Sequence, residues 1–169
     1  MRGVVFALML AAAPMIHATP PAVIWTGTLT NYTEADPTSP LLAANQDQIT
    51  SDVWLTRGTS QGIFNAFSES SYSKPSSPAD TEWAVGSIAD ATNGTLTYGT
   101  WYDAGGGNPA LNLVGVQLVL HLITDNIYLS VEFTALGSGH EGGSGFSYTR
   151  STPDVVLPTI WNGPLITYN

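Results

Sequence analysis

Two apolar runs on either side of Asp125-Asn126, spanning Val116 to Leu136, constrain this chain more than any other feature. Asp and Asn tolerate the positive φ that a tight hairpin turn demands, and residues alternate in side around them, so the segment reads as two paired antiparallel strands. Counting outward from a two-residue turn pairs Leu122 with Leu129 and Leu120 with Val131, and all four fall on one face, assigned here to the core. The opposite face carries His121 against Ser130, Val119 against Glu132 and Ile123 beside Tyr128. That mixture suits either a face half covered by another element or a binding surface.

Shorter strand signals follow at Ala22–Leu29, Val53–Thr56, Gly62–Phe67, Glu82–Gly86, Thr95–Trp101 and Gly145–Arg150, separated by loops rich in Gly, Pro, Ser and Asn. No long apolar pattern with a period of 3.6 residues accompanies them, so the expected fold is all-β: an antiparallel β-sandwich of jelly-roll type. Two loops, Ser68 to Asp80 and Tyr102 to Asn112, exceed what a hairpin needs. They are either tolerated insertions or the place where binding sits on a rigid scaffold.

The first 18 residues stand apart. Arg2, the apolar run from Val4 to Ala13 and the small residue Ala18 have the form of a secretory signal peptide, too short to span a bilayer. The expected protein is secreted or displayed at a cell surface, with no membrane insertion. Cysteine is absent from the 169 residues, which removes disulfides, thiolate metal sites and cysteine nucleophiles. Thirteen acidic residues face four basic ones, for a net charge of −9. Such a surface disfavours nucleic acid and anionic membranes.

One domain is expected over residues 19–153. Beyond it, residues 154–169 form a linker and either a closing strand or the start of a second repeat. Trp161-Asn162-Gly163-Pro164-Leu165-Ile166-Thr167-Tyr168 echoes Trp25-Thr26-Gly27-Thr28-Leu29-Thr30-Asn31-Tyr32 at four of eight positions. A repeat would make neighbouring copies of the same domain its partners.

Asn45-Gln46-Asp47-Gln48-Ile49-Thr50, Val53-Trp54-Leu55-Thr56-Arg57-Gly58, Gln61-Gly62-Ile63-Phe64-Asn65, Ser77 to Ala84, His121 to Tyr128 and Phe146 to Pro153 together resemble a group of uncharacterised β-rich domains in secreted bacterial multidomain proteins. The resemblance covers most of residues 24–153. It implies bacterial export and an accessory role, and it carries no activity, so function must be argued from a site.

Candidate sites follow from residue chemistry. A glycosidase on a sandwich needs two carboxylates on neighbouring strands, about 5 Å apart when retaining and wider when inverting; Glu132 and Glu82 are the pair to test, with His121 as a general base. Gly142-Gly143-Ser144-Gly145 lacks the spacing of a nucleophile elbow, and His140-Glu141 lacks the second histidine of a zinc peptidase. Calcium is the cofactor that the loop carboxylates Asp36, Asp47, Asp52, Asp103 and Asp125 would suit, although none has EF-hand spacing. Arg57 and Arg150 adjoin strand residues and are expected to pair with carboxylates. Trp54, Trp83, Trp101 and Tyr128 are the candidates for a platform on which sugar rings stack.

These features favour a non-catalytic binding or structural module of a surface or extracellular protein, glycan-binding or adhesive in its specific form. The alternatives are a polysaccharide-acting sandwich hydrolase using the paired carboxylates, and a purely architectural tandem repeat.

Overall fold

A computed structural model describes residues 21–137 and 145–154. The first 18 residues, the His140-Glu141 and Gly142-Gly143-Ser144 segment and the Trp161 echo lie outside the described residues. The chain is an all-β sandwich of two sheets. The larger orders its strands β2 (Thr30–Thr33), β9 (Phe146–Arg150), β8 (Ile127–Leu136), β7 (Gln117–Leu122) and β6 (Thr81–Val85). The smaller is a meander of β3 (Asp47–Gln48), β4 (Trp54–Arg57) and β5 (Ile63–Asn65). Among the described residues a jelly-roll order is not confirmed: β6 to β9 are consecutive neighbours, and β1 (Val23–Trp25) pairs in parallel with the first half of β8. Among the described residues no helix is long and apolar enough to cross a membrane.

The central hairpin forms as expected, with a corrected register. Leu120 lies opposite Leu129, Leu118 opposite Val131 and Leu122 opposite Ile127, two residues away from the pairing counted from a two-residue turn. Four residues, Ile123 to Asn126, make the connection instead. Asn126 adopts φ 52° and its N–H donates to the Ile123 carbonyl at 3.2 Å. A shift of two preserves the alternation of faces. The expected core face therefore survives, and Leu118, Leu120, Leu122 and Leu129 are wholly buried. On the other face the neighbours change: His121 meets Tyr128, Val119 meets Ser130, and Glu132 meets Gln117.

Two further expectations are corrected. Ala22–Leu29 is not one strand: pairing stops after Trp25 and resumes at Thr30 against β9. Between them Gly27 donates to the Thr152 carbonyl at 3.0 Å and presses so close to Pro153 that a Cβ would lie 2.3 Å from its carbonyl oxygen. Thr95–Trp101 is not a strand either. It touches β6 through a single bridge, Gly99 to Trp83, before Trp101 opens helix α2 (Trp101–Ala104). The Thr100 hydroxyl accepts from the Asp103 N–H while the Asp103 carboxylate accepts from Thr100, a capping box that turns the chain into a helix. The same device, Ser87 with Asp90, starts α1 (Ile88–Thr92). A third short helix, α3 (Pro109–Asn112), opens on proline, whose fixed φ suits a first helical position.

The core lies between the sheets. Leu55 and Ile63 of the small sheet pack with Trp83, Leu120, Leu129, Phe133 and Tyr148 of the large one. A buried polar clasp accompanies this packing. Asp47 on β3 accepts from Arg150 Nε at 2.6 Å, from Arg150 Nη2 at 2.9 Å and from the Tyr148 hydroxyl at 2.6 Å. A bidentate guanidinium–carboxylate pair plus a third donor satisfies the charge that burial would otherwise penalise. The expectation of a carboxylate partner is met for Arg150.

Candidate functional site

The two long loops meet. A cavity of about 380 Å³ is lined by Arg57, Gln61 and Gly62 from β4 and the turn after it, by Tyr72 and Lys74 from the 66–80 loop, and by Trp101, Tyr102 and residues 107–110 from the α2–α3 segment. That volume lies at the small end of the roughly 300–1,000 Å³ typical of ligand pockets.

Local sequence explains how each wall is held. Glu69 organises the 66–80 loop from within, one carboxylate oxygen accepting from the backbone of Asn65 and Ala79 at 2.8 and 2.9 Å and the other from the Ser77 hydroxyl. Tyr72 can then stand edge-on to Trp101, ring centres 6.3 Å apart at 80°. Gly62 makes that approach possible, because a Cβ there would lie 2.4 Å from the Tyr72 ring and 2.6 Å from the Trp101 indole. Across the opening, Lys74 Nζ sits 4.4 Å from the centre of the Tyr102 ring, a cation over an aromatic face. Gly106 and Gly107, at φ 58° and 85°, fold the chain back so that Asn108 and Pro109 complete the rim.

Arg57, 2% exposed, donates from Nε to the Gln61 carbonyl at 2.8 Å and from Nη1 to the Gly145 carbonyl at 3.1 Å. Glu34 lies beside it and accepts from the Arg57 backbone N–H at 2.8 Å and from the Thr56 hydroxyl at 3.0 Å, contacts that do not involve the guanidinium. Burial pushes the Glu34 carboxyl up to about 7 despite these bonds, and its second oxygen has no partner among the described residues. Desolvation also raises Tyr72, with Lys74 acting against it. Trp101 Nε1 is buried in the wall without a hydrogen-bond partner among the described residues, an unusual state for a native donor.

The residues singled out from the sequence are distributed elsewhere. Glu82, His121 and Tyr128 sit side by side across β6, β7 and β8. His121 Nδ1 lies 3.3 Å from Glu82 Oε2, its Nε2 lies 3.2 Å from Asn126 Oδ1, and its ring stacks on Tyr128 at 4.1 Å and 4°. Both ring nitrogens are engaged, so His121 presents no free base. Tyr98 closes over this trio edge-on, and burial pushes its hydroxyl up to about 12, with Tyr128 and Glu82 adding to the effect. Glu132 shares the face but stands two strands and four residues from Glu82. Ordinary strand spacings put about 16 Å between their backbones. The carboxylate pair required of a retaining glycosidase is not formed, and Glu82 turns to His121 instead.

The aromatic candidates divide. Trp83 is 1% exposed, stacks on Phe133 and donates to Thr81, and so belongs to the core. Trp101, 3% exposed, cannot present its face as an open platform, although it forms the floor of the cavity. Trp54 is half-buried on the outer face of the small sheet, edge-on to the exposed Phe67. The candidate calcium ligands are scattered. Asp47 is clasped by Arg150, Asp103 caps α2, Asp36 accepts from Thr38, Asp52 from Ser51, and Asp125 lies in the hairpin turn with a buried oxygen unpartnered. Among the described residues, no group of three or more His, Asp or Glu side chains is placed to hold a metal.

Tyr72, Lys74, Tyr102, Gln61 and Asn108 escaped sequence reasoning as individuals. For Tyr72, Lys74, Tyr102 and Asn108 the signal was loop length, since both long loops contribute; nothing pointed to Gln61, which lies in the short β4–β5 turn. Comparison of the chain with protein-family models, with curated proteins and with solved structures finds no match.

Proposed function

We propose that this chain is an exported, non-catalytic binding module that takes a carbohydrate into the cavity between the 66–80 loop and the α2–α3 segment. The observation that carries this reading is the wall itself. Tyr72 and Tyr102 line a sugar-sized volume with Trp101 buried behind it, and Gln61 and Asn108 line it too. Aromatic rings match the apolar faces of pyranose rings, and side-chain amides bond their hydroxyls. The apolar leader supports export, and the resemblance to accessory domains of secreted bacterial proteins supports a module that attaches a larger protein to its target. The separation of Glu82 from Glu132, and the engagement of both His121 nitrogens, weigh against the hydrolase alternative.

A glycan array probed with the exported chain, with and without calcium, tests this reading. Specific binding is expected, and Tyr102→Ala and Asn108→Ala should each abolish it while leaving the unfolding transition in place, since both side chains lie at the rim. Binding that survives both substitutions would move the site elsewhere. The half-buried Trp54 with Phe67 would then be the next surface to test.

A further inference from the structure

We propose that a groove on the outer face of the large sheet is a docking site for residues 155–169 of this same chain. That face is already half covered. Val119 of β7 and Ala84 of β6 alternate with core residues, so they point to it, yet both are buried, and α1 lies against β8. Where the cover stops, two hollows of about 240 and 380 Å³ share Leu29, Gln117 and Ser130 and so form one continuous groove. Leu29 and, from α1, Ile88 and Ala89 supply its apolar lining. Leu29 is 63% exposed, an apolar side chain left at the edge of a hollow.

The occupant is chosen by where the chain runs and by its composition. Ser151 lines the groove, together with Thr26 and Gly27. The Thr152 carbonyl accepts from the Gly27 N–H at 3.0 Å, its hydroxyl donates to the Thr28 carbonyl at 2.7 Å, and the Asp154 carboxylate accepts from the Thr26 hydroxyl at 2.7 Å. Residues 151–154 are thus fastened along the rim, and residue 155 starts at the groove. Residues 155–169 contain no Asp, Glu, Lys or Arg, and eight of the fifteen are Val, Leu, Ile, Trp or Tyr. An uncharged apolar segment meets no repulsion from a chain of net charge −9, whereas a second copy of the whole chain does. Crossing from β9 to β7 takes about 10 Å, roughly three extended residues, so reach is no obstacle. A tethered segment also faces its site at an effective concentration of about a millimolar, well above that of a second copy in dilute solution.

The test uses the absence of cysteine from the chain. Single substitutions Leu29→Cys and Val23→Cys in the exported chain each report one position by the rate of labelling with a thiol reagent. Both positions are exposed, at 63% and 45%, and both lie three residues from Thr26, but only Leu29 lines the groove. Leu29→Cys is expected to label about tenfold more slowly than Val23→Cys, the rate following the undocked fraction, and to do so at every protein concentration. Adding Leu157→Gln, Ile160→Gln and Trp161→Gln should bring the two rates together without moving that of Val23→Cys; these changes are neutral, so they leave the local field alone. Equal rates in the starting pair would overturn the proposal, as would slow labelling of Leu29→Cys that persists with the three glutamines in place. Slow labelling that is lost on dilution would assign the groove to a second copy and overturn docking within the chain.

Discussion

Replacing Glu34 by Gln should make the protein more stable at pH 8 and no more stable at pH 4.5. Glu34 is 6% exposed; one oxygen is satisfied by Arg57 N and the Thr56 hydroxyl, and the other meets no donor among the described residues. Burial holds the carboxyl at about 7 instead of the ordinary 4.5. At 1.36 kcal/mol for each tenfold change in proton affinity, the difference is about 3 kcal/mol. Its sign follows from linkage: the folded state keeps its proton to higher pH than the unfolded chain. The stability this proton provides is complete below pH 4.5 and is lost as pH rises to about 7. Gln presents the same oxygen to Arg57 and Thr56 and carries no charge, so the variant should lack this loss. Urea unfolding of both proteins from pH 4.5 to 8.5 measures it. The curves should coincide at the acid end and separate by about 3 kcal/mol at the alkaline end, or roughly 10 °C in Tm for a domain of this size. Parallel curves, or a variant less stable at pH 8, would refute the claim that Glu34 is buried at a cost.

Two further outcomes test the core. Asp47→Ala leaves the Arg150 guanidinium and the Tyr148 hydroxyl buried without their partner and should cost about 3–5 kcal/mol, whereas the double change Asp47→Leu with Arg150→Met should recover most of that loss; a chemical-denaturation double-mutant cycle reads both. Tyr98→Phe removes a buried hydroxyl that has no partner and should be neutral or stabilising by up to about 1 kcal/mol, measured by thermal melting; a loss above that would mean the hydroxyl makes a bond that matters.

The candidate site was legible in the sequence only as a pair of suspiciously long loops. A loop's length shows where the chain has room for a ligand, but the partner loop is chosen by the sandwich that brings the two together. Gly62 illustrates this well. Its sequence context reads as the start of a strand, and its role, admitting Tyr72 and Trp101 side by side, exists only once three distant segments converge. The individual tryptophans misled for a related reason: aromatic residues serve cores and platforms equally well, and only burial separates Trp83 from Trp54.

By itself the sequence determined what depends on near neighbours. Alternation along Gln117–Leu122 and Ile127–Leu136 places the leucines on one face whatever the turn, because side-chain direction has a period of two. Tertiary structure decided what that period cannot distinguish. A register moved by two residues keeps every leucine inward yet exchanges the partner of His121 from Ser130 to Tyr128. It also decided the long-range pairings: Asp47 with Arg150, 103 residues apart, and Arg57 with Lys74 around one cavity. Charges distant in the chain are brought together by the packing of the sheets, and that packing is a property of the whole core, absent from any local stretch of residues.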